Sequence, residues 1–285
     1  MRKYGAKKQR QKIKRNTVVY ALLMALFAAV FLVCAGMLLH RFWSDRQAES
    51  EFSGLEAMID ETPAAAADAQ GAATGAADGA APVTSAPETG NAAKFARLVA
   101  QNPDFKGWIS IPGTNLSFPV MQRVAEKNFY LRHDFDGEYS VYGVPYLDEG
   151  CRLDAGGQSE NLIIYGHNMK TGTIFGCLTG YKKPEYYAGH PTITFDTLYG
   201  DAEYEVFAAF AIDVVEDPDF VYNSFTGGDQ AAFDAYVGEV LRRSDVASGI
   251  TPAYGDALLT LSTCEYSTDN GRYVVVARRA AGAGA

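Results

Sequence analysis

Four cysteines and four histidines carry most of the reactive chemistry of this 285-residue chain. Three of the cysteines, Cys151, Cys177 and Cys264, lie beyond residue 90, and an odd number leaves at least one thiol free unless chains cross-link. No two of them have the two-to-four-residue spacing of a zinc pair, and no compact acidic calcium loop is visible. Neither a metal nor a cofactor is therefore expected. Cys264 ends the apolar run ALLTLSTC at 257–264. A strand would thus carry its sulfur to a sheet edge, a rigid mounting for a nucleophile. Cys177, within IFGCL, reads as a small core residue, and Cys151 falls in a polar loop. Of the histidines, only His167 directly follows a strand-like run (LIIYGH, 162–167), where Gly166 would permit a sharp turn. His133 and His190 lie in charged or loop sequence and read as solvated, while His40 flanks an apolar segment. Arg272 follows the turn signal DNG and opens the apolar run 273–277. Each of these residues alone reads better as an ordinary core or strand-flanking residue. Together, a cysteine, a histidine and an arginine at strand ends suggest one mouth, with a sulfur nucleophile, a proton carrier and a fixed cation for developing negative charge.

The elements that would position them are short. Apolar or alternating runs bounded by turn residues recur at 108–111, 117–121, 162–165, 192–195, 204–212, 258–262 and 273–277, and each predicts a strand. The runs 258–264 and 273–277 form a hairpin that returns Arg272 towards Cys264. Two segments have helical periodicity. Residues 91–101 place Phe95, Leu98 and Val99 on one face, and residues 229–243 do the same with Phe233, Val237, Val240 and Leu241. Many short strands with few helices predict a mainly β barrel or sandwich rather than a parallel α/β sheet. No GxGxxG follows a strand and no phosphate-binding loop is present, so nucleotide chemistry has no support.

Ahead of this domain the chain changes character. Residues 1–16 hold eight Lys or Arg and no acid, a cytoplasmic basic arm; beyond them 17 basic residues face 34 acidic ones. So acidic a body would be repelled by phosphates, and no nucleic-acid partner is expected. Residues 17–39 are an uncharged apolar run whose helix would span roughly 34 Å, enough to cross a bilayer core of about 30 Å. With the positive arm before it, the run reads as an uncleaved signal-anchor that leaves the N-terminus in the cytoplasm and the rest outside. The run is too long for a signal-peptide core, and Val33 before Cys34 is a poor lipoprotein context. Residues 40–90 form an extracellular stalk and linker. Within them 44–61 suit a short helix, and 62–92, which run just past the linker, are rich in Ala, Gly, Thr, Pro and Asp, a composition that cannot offset its ordering entropy and predicts a disordered tether. The folded domain then runs from 91 to 279, with an Ala/Gly tail at 280–285.

At the chemistry-bearing residues the sequence resembles the sortases, and class B in particular. TLSTC at 260–264 is similar to the family's catalytic strand, GRYVVVARR at 271–279 to the following strand with its arginine, and YGHNM at 165–169 to the histidine motif. NPDFKGWISIPGTNLSFPVMQ at 102–122, NFYLRHDF at 128–135 and the helical segment at 229–243 also resemble class B. Pro145, within GVPYLD at 143–148, departs from the pattern without touching the other motifs. The resemblance implies a closed sortase-type β-barrel with a few peripheral helices and a two-step acyl transfer. Cys264 would attack a sorting-signal threonine carbonyl, His167 would exchange protons and Arg272 would hold the oxyanion, helped by the Glu265 amide. Ser262 and Thr263 would lie against the substrate. The implied partners are surface proteins or pilins bearing a sorting signal, and an amine of the cell wall precursor or a pilin lysine. A wall endopeptidase, an L,D-transpeptidase and a non-catalytic surface-binding domain are the competing readings. The first two lack support in residue order or in a Ser-His-Gly-Cys cluster.

Overall fold

The computed structural model describes residues 20, 23–24, 26–39, 43, 46, 50–59, 91–169, 171–264 and 267–281. The basic arm, six positions of the apolar run (17–19, 21–22 and 25), residues 60–90 and the last four residues lie outside the described residues. So does the tether expected at 62–92, except for its last two residues. The chain divides into two compact units, 1–53 and 54–285. In the first, residues 26–39 are helical and Phe27, Phe31 and Leu38 are exposed. Among the described residues no helix is long and apolar enough to cross a membrane. Residues 50–59, within the expected stalk, are helical.

The second unit is built on ten strands: β1 (Phe105–Ser110), β2 (Ser117–Met121), β3 (Tyr146–Leu147), β4 (Leu153–Asp154), β5 (Gly157–Gln158), β6 (Asn161–Tyr165), β7 (Thr192–Thr197), β8 (Glu203–Asp213), β9 (Leu258–Cys264) and β10 (Gly271–Arg279). Eight of them close a barrel in the order β1-β2-β3-β6-β9-β10-β8-β7, and β4-β5 form a separate small hairpin. All seven strand runs expected from the sequence are strands, and the barrel, not the sandwich, is the architecture. The barrel accounts for the run-like patterns of β6, β9 and β10. Leu162–Ile164, Leu258–Leu261 and Tyr273–Ala277 are almost wholly buried, with no solvated face to impose alternation.

Among the described residues beyond 90, three helices flank the strands: α1 (Ala96–Gln101), α2 (Pro184–Gly189) and α3 (Gln230–Arg243). The Asp229 side chain caps α3 by accepting from the Ala232 amide at 2.9 Å, and Arg242 and Arg243 sit in its last turn, where cations favour the dipole. Its buried stripe of Phe233, Tyr236, Val237 and Val240 joins one core cluster with Phe207, Phe210 and Ile212 of β8. Beneath it lies a satisfied polar knot. The buried Asn161 side chain donates to the Phe225 carbonyl at 2.9 Å and accepts from the Thr260 hydroxyl at 2.9 Å, tying β6 to β9.

Several smaller readings are corrected. Cys151 does lie in a loop, but there it is buried, its sulfur 3.4 Å from the Ile163 amide. Cys177 sits in a 3-10 run, Gly176–Lys182, and is only partly buried. His133 and His190 are not simply solvated. His133 Nδ1 lies 2.7 Å from the Phe129 carbonyl with its ring stacked on Phe129, and His190 Nδ1 lies 2.9 Å from the Pro112 carbonyl. A carbonyl can only accept, so both imidazoles act as loop clamps.

Candidate active site

Strand direction determines which residues meet. β6 and β9 are parallel neighbours, paired from Asn161↔Leu258 to Tyr165↔Ser262, so both reach their C-terminal ends at one rim of the barrel. β10 is antiparallel to β9 and begins at that rim. Its register sets Arg272 directly opposite Cys264. Opposed residues of an antiparallel pair project to the same face with Cβ atoms about 4.5–5.5 Å apart. The chain leaving β6 continues through Gly166 to His167, and the Gly166 amide still bonds the Ser262 carbonyl at 3.1 Å. Cys264, His167 and Arg272 therefore line one cleft of about 520 Å³, together with Ser262 and Thr263. Glu265 lies outside the described residues.

Gly166 is required here for space rather than for a turn. A Cβ at this position would meet the Phe175 ring at 2.7 Å. Phe175 is the buried anchor of the loop after His167, and its amide returns to the His167 carbonyl at 2.9 Å. The imidazole is held from the other side: His167 Nε2 lies 2.8 Å from the Leu131 carbonyl, just after the 3-10 turn Phe129–Leu131 begins the cleft wall. Since that carbonyl accepts, Nε2 carries the hydrogen and Nδ1 is the nitrogen left to take up a proton. Burial pushes the His167 pKa below its ordinary value and the nearby Arg132 cation adds to this, against the opposing pull of the Leu131 carbonyl. The resting imidazole at pH 7 is thus neutral, the form of a general base.

The cleft has the opposite charge to the rest of the domain. Among its described lining residues Lys127, Arg132 and Arg272 are cations and Asp148 is the one carboxylate, although the whole chain carries −9. An oxyanion is stabilised in such surroundings. Arg272 Nη1 donates to the Gly271 carbonyl at 2.9 Å, which ties its guanidinium to the start of β10. The hydroxyls of Ser262 and Thr263 are engaged with protein partners. Ser262 Oγ is 2.8 Å from the Tyr222 hydroxyl, and Thr263 Oγ1 donates to the Gly166 carbonyl at 2.7 Å. Both are buried, so what they offer a ligand is mainly surface and backbone.

Sequence reasoning on strands and turns missed part of the wall. Tyr165 donates to Asp148 at 2.7 Å and accepts from Asn223 at 2.7 Å, a polar floor assembled from three distant segments. Asn168 donates to the Cys264 carbonyl at 2.8 Å. The signal for the last was present in YGHNM, where the asparagine adjoins the histidine. Asn223 lies in the irregular stretch between β8 and α3, where periodicity is silent.

Known proteins share this architecture and chain. Residues 109–280, more than half of the chain, match the sortase domain family. Sortase B of Staphylococcus aureus is 32% identical over 187 residues, covering 65% of this chain and 74% of that protein. Sortase B of Listeria monocytogenes is 30% identical over 176 residues, covering 61% and 69% respectively. The solved Staphylococcus aureus sortase B–substrate complex superposes with a TM-score of 0.68 at 27% identity, covering 83% of this chain and 97% of that one. The eight-strand barrel, its mouth and these likenesses agree: the chain belongs to the sortase family, in its class B, and is a cysteine transpeptidase.

Proposed function

We propose that this transpeptidase cleaves a C-terminal sorting signal after threonine and transfers the protein to an amine of the cell wall precursor, with Cys264, His167 and Arg272 as its catalytic residues. The observation that carries the reading is the register in which Arg272 faces Cys264 beside the end of β6 that leads to His167. As sulfur attacks the threonine carbonyl, the thiol proton passes to Nδ1 of the neutral His167. Arg272, which cannot lose its charge, faces the oxygen that becomes negative. Collapse of the tetrahedral adduct breaks the C–N bond, and the imidazolium gives its proton to the departing amine. The threonine carbonyl is then held as a thioester on Cys264. An incoming amine attacks that thioester, loses a proton to His167 and expels the thiolate, forming the new amide.

Residues 17–39 anchor the enzyme as a single pass, with the arm in the cytoplasm and the catalytic domain outside. The basic arm, the uncharged run and the exposed Phe27, Phe31 and Leu38 on its helical part support this reading. The domain 91–279 then works at the end of the 40–90 stalk and linker. The test is capture of the intermediate. Full-length protein in detergent, incubated with a peptide containing a Thr–Gly or Thr–Asn sorting signal, gains the mass of the N-terminal peptide fragment on Cys264. Hydroxylamine removes that adduct, and Cys264→Ala neither forms it nor cleaves the peptide. Wild-type cleavage by Cys264→Ala ends the assignment.

A further inference from the structure

The β6–β9 ladder runs out just before the nucleophile. Its last paired residues are Tyr165 and Ser262, followed by the bond from the Gly166 amide to the Ser262 carbonyl. Backbone carbonyls alternate in direction along a strand, so the next one to face the β6 side is that of Cys264. By then the β6 chain has turned away into the His167 loop, and no backbone donor of that strand continues the ladder. The side chain of Asn168 takes the vacant place, donating from Nδ2 to the Cys264 carbonyl at 2.8 Å. Asn168 itself is held by a backbone bridge to Ile174, the neighbour of the Phe175 that anchors the loop. One step earlier, the Thr263 hydroxyl donates to the Gly166 carbonyl at 2.7 Å from the opposite direction. Two side-chain bonds, one from each segment, therefore join the two ends where the backbone ladder stops.

We propose that Asn168 is a positioning residue that fixes the sulfur-bearing residue against the His167 loop, so that the Cys264 sulfur and the His167 Nδ1 keep the separation proton transfer needs. This rests on the catalytic roles proposed above. The bond spans the two residues flanking that proton transfer: Asn168 adjoins His167 in sequence, and its acceptor belongs to Cys264 itself. Asn168 is not among the described residues that line the cleft. What it controls is relative placement, and displacements of about 1 Å cost as much as 10²-fold in rate.

The role makes a prediction about leaving groups. An activated ester needs His167 once, to take the thiol proton, whereas an amide nitrogen departs only after His167 also returns that proton to it. Full-length Asn168→Ala and Asn168→Asp are compared with wild type, the second being close in shape but lacking a donor at neutral pH. Each is assayed on the Thr–Gly or Thr–Asn peptide that wild type cleaves, and on the same peptide with an activated ester at the scissile position. The expected result is a fall in kcat of about 10- to 100-fold on the amide, with KM within twofold and a markedly smaller fall, below about 10-fold, in ester acylation. Equal losses on both substrates, accompanied by a lower Tm, would mean that Asn168 merely supports the fold. Unchanged amide cleavage would also overturn the proposal. If Asn168→Ala fails to fold, Asn168→Asp decides between these outcomes. Failure here leaves Cys264→Ala inactive, whereas an active Cys264→Ala overturns the catalytic reading beneath it.

Discussion

Replacing Arg272 with lysine separates charge from geometry at the candidate oxyanion site. Arg272 stands directly across β9–β10 from Cys264, with Cβ atoms about 5 Å apart by the geometry of opposed residues. A guanidinium on that stem reaches over the sulfur to any carbonyl bound there, presenting a planar fork, and one arm is already steadied by the Gly271 carbonyl at 2.9 Å. Lysine keeps the cation but replaces the fork with a single strongly hydrated point. Losing one well-aimed oxyanion donor costs about 2.7–4 kcal/mol, or 10²- to 10³-fold in kcat. Arg272→Lys is therefore expected to slow acylation by about 10²-fold, and Arg272→Ala, which loses charge as well, by about 10³-fold or more. Lys127 and Arg132 remain in the cleft, so general electrostatic attraction persists in both variants and KM should change little. The assay is single-turnover cleavage of a sorting-signal peptide over a range of concentrations, alongside thermal melting. A raised KM at nearly unchanged kcat would refute the oxyanion role and make Arg272 a substrate anchor.

Three further outcomes follow from the same structure. Because burial lowers the His167 pKa, the unfolded chain binds more protons than the folded one as pH falls below the ordinary histidine value. Stability from this group should be fully present above pH ~6.5 and decline below it, with a shallower decline in His167→Gln, measured by urea midpoints from pH 7.5 to 5. Asn161→Ala leaves the Phe225 carbonyl without its partner inside the barrel wall, while the Thr260 hydroxyl keeps the Tyr236 hydroxyl at 3.2 Å, and should cost about 1–3 kcal/mol in urea unfolding, the cost of one unsatisfied buried group. Burial pushes the Cys151 thiol up to about 12 and raises that of Cys177, so iodoacetamide at pH 7.5 should label Cys264 well ahead of both in a folded Cys34→Ser background, read by peptide mass mapping. Labelling of Cys151 at the Cys264 rate would contradict its burial.

Much of this was legible in the chain because β6, β9 and β10 are buried on both faces and so appear as unbroken apolar runs. The DNG turn before Arg272 and the hairpin it implies already brought Arg272 to Cys264, and the register bears this out. Other elements carry too little periodicity to be read. β3 is two residues long and directly follows Pro145, whose carbonyl accepts from the Met121 amide at 3.0 Å, so it is ordered by its neighbours rather than by its own pattern. The strands of the β4-β5 hairpin are also two residues each, and the 3-10 run around Cys177 spans seven, Gly176–Lys182. Gly166 was read as a turn residue because glycine most often signals backbone freedom. Its reason is the Phe175 ring, contributed from nine positions later, which only packing reveals. Likewise, nothing in the local sequence of Leu131 marks its carbonyl as the acceptor that selects the imidazole tautomer.

The closure of the eight strands into a ring has a consequence for how such an enzyme changes its clientele. An open sheet can recruit an extended peptide as one more strand and read it largely through main-chain bonds. A ring offers no free edge, so a peptide at this mouth must be recognised by the side chains and connecting segments around the rim. Those segments, between β2 and β3, after β6, and between β8 and α3, contribute Asn128, His167 and Asn223 to the cleft, and each is pinned by buried side chains such as Tyr130, Phe175 and Tyr222. A new signal can thus be met by exchanging residues at the tips of these segments, provided the anchors and His167 keep their places and the frame that opposes Arg272 to Cys264 stays as it is.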